Sequence, residues 1–325
     1  MKRIILTSIL VLIALTYTTN TNHQIVIEPL VEEVITPKTY KMIFAGDIML
    51  DRGVRKMIKD YGEDYSFPFL NIKDDLEADI VFANLESMIS DQGENIGSIY
   101  SFRAEPKAIN GLKYAGFNIV SLANNHTFDY DRPAFEDTMQ RLTDAGIIYA
   151  GAGFNQQEAH SVKIIELDDF KVGFLAYTEF LYPYTFANEN RSGVTTLNRE
   201  NLERDIVKAK DEVDFLIVTF HCGDEYQEKP NQNQITWSEG AIDYGADMVI
   251  GHHPHVTQPI KKYNGKYIAY SLGNFVFDQY FSEETMSGFL FEIEIQEGKI
   301  TSAKKKHYKL NEYYQPEVYQ EEVIG

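Results

Sequence analysis

The sequence predicts an α/β fold in which helices lie outside mixed sheets. Three patterns lead to it. Apolar runs of strand length recur from Tyr40 onward. Helical segments separate several of them. The last third turns to hairpins, which require antiparallel pairs.

Along the chain, "KMIFAG" (41–46), "DIVFAN" (79–84) and "FNIVSLAN" (117–124) come first. "KVGFLAYT" (171–178), "DFLIVTF" (214–220), "DMVIG" (247–251) and "YIAYSLGNFVF" (267–277) follow. Each is nearly continuous in apolar residues rather than alternating, as expected of strands buried on both faces. "PAFEDTMQRLTDAG" opens on Pro133 and stops at Gly146, the residues a helix favours at those ends. "NRENLERDIVKAKD" (198–211) and "ITWSEGAIDYGA" (235–246) read as two more helices. Hairpin turns are expected at Asp168–Asp169, at Asn264–Gly265 and at Glu297–Gly298. No repeat and no Pro/Gly/Ser-rich linker interrupts residues 40–310, which therefore read as one domain. Residues 311–325 are expected to form an irregular C-terminal tail.

With 325 residues, 44% of them hydrophobic and 13% aromatic, the chain has ample material for a packed core. Its net charge of −19 makes nucleic acid and anionic lipid surfaces poor partners. The one basic run, "KKKHYK" (304–309), reads as a solvated sheet edge. A single cysteine, Cys222, rules out a disulfide within one chain. At the N-terminus, Lys2 and Arg3 precede an apolar run from Ile4 to Leu15. Residues 1–22 are therefore expected to be a secretory signal peptide or an N-terminal membrane anchor, with 23–39 as a linker. Either reading places the domain outside the cytoplasm, because basic residues stay on the cytoplasmic side.

The unusual polar residues fall at the ends of those apolar runs. Asp47 follows "MIFAG", and Glu86 closes "DIVFANLE". Asn125 and His126 follow "FNIVSLAN", and His221 follows "FLIVTF". His253 and His255 follow "DMVIGH". In open α/β sheets ligands bind beyond the carboxyl ends of the strands, so this placement gathers carboxylates, an amide and imidazoles at one edge. Clustered histidines and carboxylates suit a divalent metal. Pro254 is expected to hold His253 extended. His253 and His255, two apart, then point to one centre while His252 points elsewhere, as a supporting residue. Asp129 and Glu225 lie close in sequence to His126 and His221 and can orient them. Asn124 reads as a turn former or a neighbour of the substrate. Asn274 reads either as a turn residue or as an amide donor at the same edge.

In order, "GDIML", "NLES", "ANNHTFDYD", "HCGDEY", "GHHPHV" and "SLGNFVFD" resemble the CapA family of bacterial capsule synthesis proteins over about residues 40–280. That family is linked to poly-γ-glutamate and belongs to the calcineurin-like metallophosphoesterase superfamily. The resemblance implies a four-layer α/β/β/α sandwich and a metal centre. It implies Asp47, Asn125, His221, His253 and His255 as metal ligands, and His126 as the residue facing a substrate phosphate. The sequence departs from the superfamily in two places. Ile48 and Met49 follow Asp47 where an Asp-x-His motif is usual, so one ligand is missing. The bridging aspartate of Gly-Asp-x-x-Asp is also absent, and Glu86 is its stand-in.

One or two ions of manganese, iron or zinc would suit these oxygen and nitrogen donors. A metal pair can activate a hydroxide and polarise a phosphoryl or carbonyl oxygen, and His126 can protonate a leaving group. Two classes of function follow. One is an extracytoplasmic metal-dependent hydrolase of a phosphoester or an amide. The other is a capsule-assembly protein that handles an anionic polymer at the membrane, beside other capsule-synthesis membrane proteins.

Overall fold

The structure, a computed structural model, describes residues 37–180 and 182–324. The expected signal or anchor and most of the linker lie outside the described residues. Two mixed sheets face each other. The larger has eight strands, in the order Pro316–Val323, Lys299–Leu310, Ser287–Gln296, Thr39–Ile48, Ile80–Leu85, Ile119–Ser121 and Ile148–Ala150, with Asn274–Val276 also beside Thr39–Ile48. The smaller has six, in the order Ile260–Tyr263, Lys266–Ala269, Met248–His252, Phe215–His221, Phe170–Thr178 and Lys163–Leu167.

Burial on both faces explains the continuous apolar runs. In Ile80–Leu85, Ile80 and Phe82 enter the core between the sheets. Val81, Ala83 and Leu85 pack on the other face, in the core with Leu112, Phe135 and Met139 of the helices Ile109–Ala115 and Asp131–Asp144. Side chains alternate along a strand, so a strand covered on both faces is apolar at every position. Phe82 stacks on Phe174 of the opposite sheet with ring centroids 5.6 Å apart. The helices Arg199–Lys210 and Gln232–Tyr244 cover the outer face of the smaller sheet through Leu202, Ile206, Ala241 and Ile242. The layers are therefore helix, sheet, sheet and helix. Among the described residues no helix is long and apolar enough to cross a membrane.

All three turns expected from the sequence join antiparallel strands. The run 267–277 is two strands, not one. Lys266–Ala269 belongs to the smaller sheet and Asn274–Val276 to the larger, with Gly273 at φ +79° between them. A side chain is strained at that angle, and glycine is not.

The C-terminal end also differs from expectation. Pro316–Val323 is a strand antiparallel to Lys299–Leu310 rather than an irregular tail. Its register sets Glu322 opposite Lys305, Glu321 opposite Lys306 and Glu317 opposite Lys309. Opposite charges across two strands stabilise the pair. Charge pairing leaves no apolar period to read, so the lysine run looked like an edge although another strand covers it.

Candidate metal centre

Register builds the first half of the centre. Asp47 pairs with Asn84 on one side and with Asn274 on the other. Glu86, two residues beyond Asn84, falls on the same face. The second half comes from the smaller sheet, where His221 pairs with His252 at adjacent strand ends. The strand ends of two facing sheets, rather than one sheet edge, thus bring the polar residues together.

Pro254 does not hold His253 extended. His253 has φ +99° and His255 φ +58°. Proline disfavours the right-handed helical region before it, but here tertiary contacts select a left-handed turn. The His253 N–H lies 3.3 Å from Asp47 Oδ2, and the Tyr226 N–H donates to Pro254 O at 2.8 Å. Arg52 (φ +49°) and Tyr226 (φ +62°) are wound the same way beside the site. Each such residue costs about 1–3 kcal/mol, and such strain collects at functional sites.

Asp47, Glu86, His221, His253 and His255 are all buried. Asn125 Oδ1 lies 2.7 Å from His221 Nε2, and His253 Nδ1 lies 3.2 Å from the same nitrogen. The rings of His253 and His255 are 5.8 Å apart. All six residues read as ligands therefore adjoin one another. Two groups of three bring their donor atoms within 4.8 Å: Asp47, Glu86 and His255, and Glu225, His253 and His255. Glu225, expected to orient His221, instead presents an exposed carboxylate to His253 and His255.

The flanking residues have definite tasks. His126 Nδ1 is 2.6 Å from Asp129 Oδ2, which orients the ring as the sequence suggested. Phe102 lies over that ring at 4.0 Å. Asn124 holds the turn, accepting from the His126 N–H at 3.1 Å and donating to Leu85 O at 2.8 Å. Asn274 Oδ1 faces His255 Nδ1 at 2.9 Å. His252 is buried against Phe82, with Nδ1 3.2 Å from Asp47 Oδ1. Met49, two residues after Asp47, packs with Phe102 and Phe277 and offers no nitrogen or oxygen donor.

Asn84 escaped the sequence reading. Its Nδ2 lies 2.8 Å from Asp47 Oδ1, 3.3 Å from Glu86 Oε2 and 3.2 Å from His221 Nδ1. The available signal was an amide at the end of an apolar strand, two residues before Glu86 on the same face.

The electrostatics favour the ligand forms of the imidazoles. Burial, then the charge of His253, pushes His221 well down. Burial and His255 push His253 down to about 3. Burial also lowers His255, and the Asp47 and Glu225 carboxylates oppose it. Burial raises Asp47, but His252, His255 and His221 outweigh it and leave the carboxyl below the usual range. Glu86 is raised by burial and by the charges of Asp47, Glu225 and Asp129. Its Oε1 is buried without a hydrogen-bond partner, 3.6 Å from His255 Nε2 and 3.8 Å from His126 Nε2. A buried carboxylate oxygen left bare costs free energy, and a cation would remove that cost. The donor set fits a divalent ion. A cavity of about 310 Å³ opens beside His126, His255 and Glu225, with Arg52, Tyr100 and Tyr226 in its wall.

Comparison with known proteins agrees with this architecture. Residues 41–279 match the family described as "Bacterial capsule synthesis protein PGA_cap". The chain is 33% identical over 250 residues to the capsule biosynthesis protein CapA of Bacillus anthracis, covering 73% of this chain and 60% of that protein. It is 32% identical over 239 residues to the PGA biosynthesis protein CapA of Bacillus subtilis (strain 168), covering 73% and 63%. The chain thus spans less than two thirds of the length of these relatives. The crystal structure of a 5′-nucleotidase precursor from Thermus thermophilus shares the fold, with TM-score 0.51 and 11% identity over 86% of this chain and 56% of that one. With a family match across most of its folded residues and relatives at about a third identity, the chain belongs to the bacterial capsule synthesis (PGA_cap, CapA) family.

Proposed function

We propose that this chain acts outside the cytoplasm in the synthesis or export of a poly-glutamate capsule polymer, with a divalent-metal centre at the strand ends of its two sheets. The observation that carries the metal reading is the bare Glu86 Oε1, buried and facing His255 Nε2. The names of the relatives, capsule and PGA biosynthesis proteins, support the polymer. Asp47, Glu86, Asn125, His221, His253 and His255 are the candidate ligands, and manganese, iron or zinc suits them. When bound, such an ion supplies Lewis acidity toward a phosphoryl or carbonyl oxygen.

The chain's own residues can do the rest. Asp129 accepts a hydrogen bond from His126 Nδ1–H, and the imidazolium can then pass its Nε2 proton to a leaving group in the cavity that His126 lines. A second reading, a phosphoester or amide hydrolase unrelated to capsule, draws support from the His126–Asp129 pair, which a pure binding protein has no need to place beside the ligands.

Metal analysis of the purified protein, with assays on a panel of phosphoesters and on poly-γ-glutamate, tests the proposal. Bound metal with binding or cleavage of the polymer supports it. Cleavage of phosphoesters alone favours the second reading, and absence of bound metal overturns both. Protease added to intact, wall-stripped cells tests location, since full protection of the domain would refute it.

A further inference from the structure

We infer that this chain holds one divalent cation, at His255, and that the Asn84 amide stands where a second ion would need an anionic bridge. The inference rests on the metal reading above and goes beyond it by setting the number.

The amide orientation follows from a chain of hydrogen bonds. The backbone N–H of His126 donates to Asn124 Oδ1 at 3.1 Å, and Asn124 Nδ2 donates to Leu85 O at 2.8 Å. Both partners are backbone groups with one possible role, so the Asn124 amide has one orientation. Its Nδ2 also donates to Asn84 Oδ1 at 3.1 Å. The oxygen of Asn84 is thereby turned outward and its NH2 group inward. That group lies 2.8 Å from Asp47 Oδ1, 3.3 Å from Glu86 Oε2 and 3.2 Å from His221 Nδ1, so an amide and not a carboxylate stands between the donors of the two sheets. A carboxylate bridges cations, whereas an amide NH2 presents hydrogens and repels them.

The consequence for His221 is direct. The Asn84 NH2 group has two hydrogens for Asp47 Oδ1, Glu86 Oε2 and His221 Nδ1, and because it faces Nδ1 with hydrogens, a hydrogen on Nδ1 would clash with it; the neutral ring therefore carries its hydrogen on Nε2, toward Asn125 Oδ1 at 2.7 Å. In this pattern neither nitrogen offers a free lone pair, so the single centre leaves His221 out of the ligand set given above. His255 is arranged in the opposite sense. Asn274 Nδ2 donates to Thr285 O at 3.0 Å, which fixes Asn274 Oδ1 toward His255 Nδ1 at 2.9 Å. His255 donates from Nδ1 and keeps its Nε2 lone pair, 3.6 Å from the bare Glu86 Oε1. Both groups of converging donors include His255. His255 has one available lone pair, so the two groups that share it serve the same cation. Glu225, on its exposed loop, is then a ligand that completes this single centre from the smaller sheet.

The test is stoichiometry. Metal-free full-length protein is titrated with Mn2+ and with Zn2+ by calorimetry, and bound metal is measured by mass spectrometry after desalting. One equivalent per chain is expected, with the Mn2+ form giving the electron paramagnetic resonance of an isolated ion. Two equivalents, or a spin-coupled pair, overturn the inference and leave the metal reading standing. No bound ion overturns the metal reading itself. Asn84→Asp replaces the NH2 group with a carboxylate and is expected to bind two equivalents. Three crowded carboxylates should lower its metal-free melting temperature, and added metal should raise it more than in the parent protein. A folded Asn84→Asp variant that still binds one ion removes Asn84 from the argument.

Discussion

Asn274→Ala should weaken metal binding without touching a ligand. Asn274 is fully buried and starts the strand beside Asp47. Its Oδ1 accepts from His255 Nδ1 at 2.9 Å, while Nδ2 donates to Thr285 O and Gln279 Oε1, each at 3.0 Å. Removing the amide frees the His255 ring to rotate and to take the other tautomer, which would place the hydrogen on Nε2. Loss of such a supporting partner typically lowers metal affinity about 10–100-fold, or about 1.4–2.7 kcal/mol. The fold itself should also lose about 1–3 kcal/mol, because the Thr285 carbonyl is left bare. The two effects separate experimentally. Metal affinity is measured on the folded protein by competition with a chromophoric chelator, and stability by urea unfolding of the metal-free form. Asn274→Asp is the control, since it keeps the acceptor for His255. It should hold metal about as tightly as the parent or more tightly, while its buried charge destabilises the metal-free fold. Equal metal affinity in Asn274→Ala and the parent, within about twofold, would refute the claim that Asn274 sets the working tautomer of His255.

His126→Ala should leave metal content unchanged and reduce any hydrolysis by about 10²–10⁴-fold, and loss of metal in that variant would make His126 a ligand. Gly46→Ala should destabilise the protein by at least the 1–3 kcal/mol typical of overpacking, because a Cβ there would lie 1.9 Å from Gly273 O, as a fall in melting temperature would report. Burial raises the Asp205 carboxyl, but its contacts with His160, Arg204 and Tyr177 outweigh burial and hold it below the usual range. Its folded pKa lies below the unfolded value of about 3.9, so the stability it contributes is complete above that value and is lost as pH falls through the folded pKa. Asp205→Asn should therefore lower neutral-pH stability and flatten the acid limb of a urea-unfolding pH series, and an unchanged acid limb would contradict the assignment.

Much of the scaffold was legible in the sequence because its causes are local or nearly so. Strands such as Ile80–Leu85 are covered on both faces, which writes a continuous apolar run. Asn264–Gly265 and Gly146 announce themselves because their backbone angles exclude most other residues. Asp47, Asn125, His221, His253 and His255 stood out because polar residues at the ends of apolar strands have few reasons to be there. Other features depended on which distant segments meet. Pro316–Val323 is held by cross-strand charge pairs, which leave no hydrophobic period. His253 is left-handed because Asp47 and the loop at Tyr226 hold it there, against the extended form its local sequence favours. Asn84 drew no notice among strand residues, yet register sets it beside Asp47 and the Asn124 amide turns its NH2 group toward His221. The chain sequence determined the donor chemistry, because side-chain identity is local. Only the tertiary structure decided which lone pairs face one another, because hydrogen-bond direction in a buried cluster is set by partners as far as 206 residues apart in the chain.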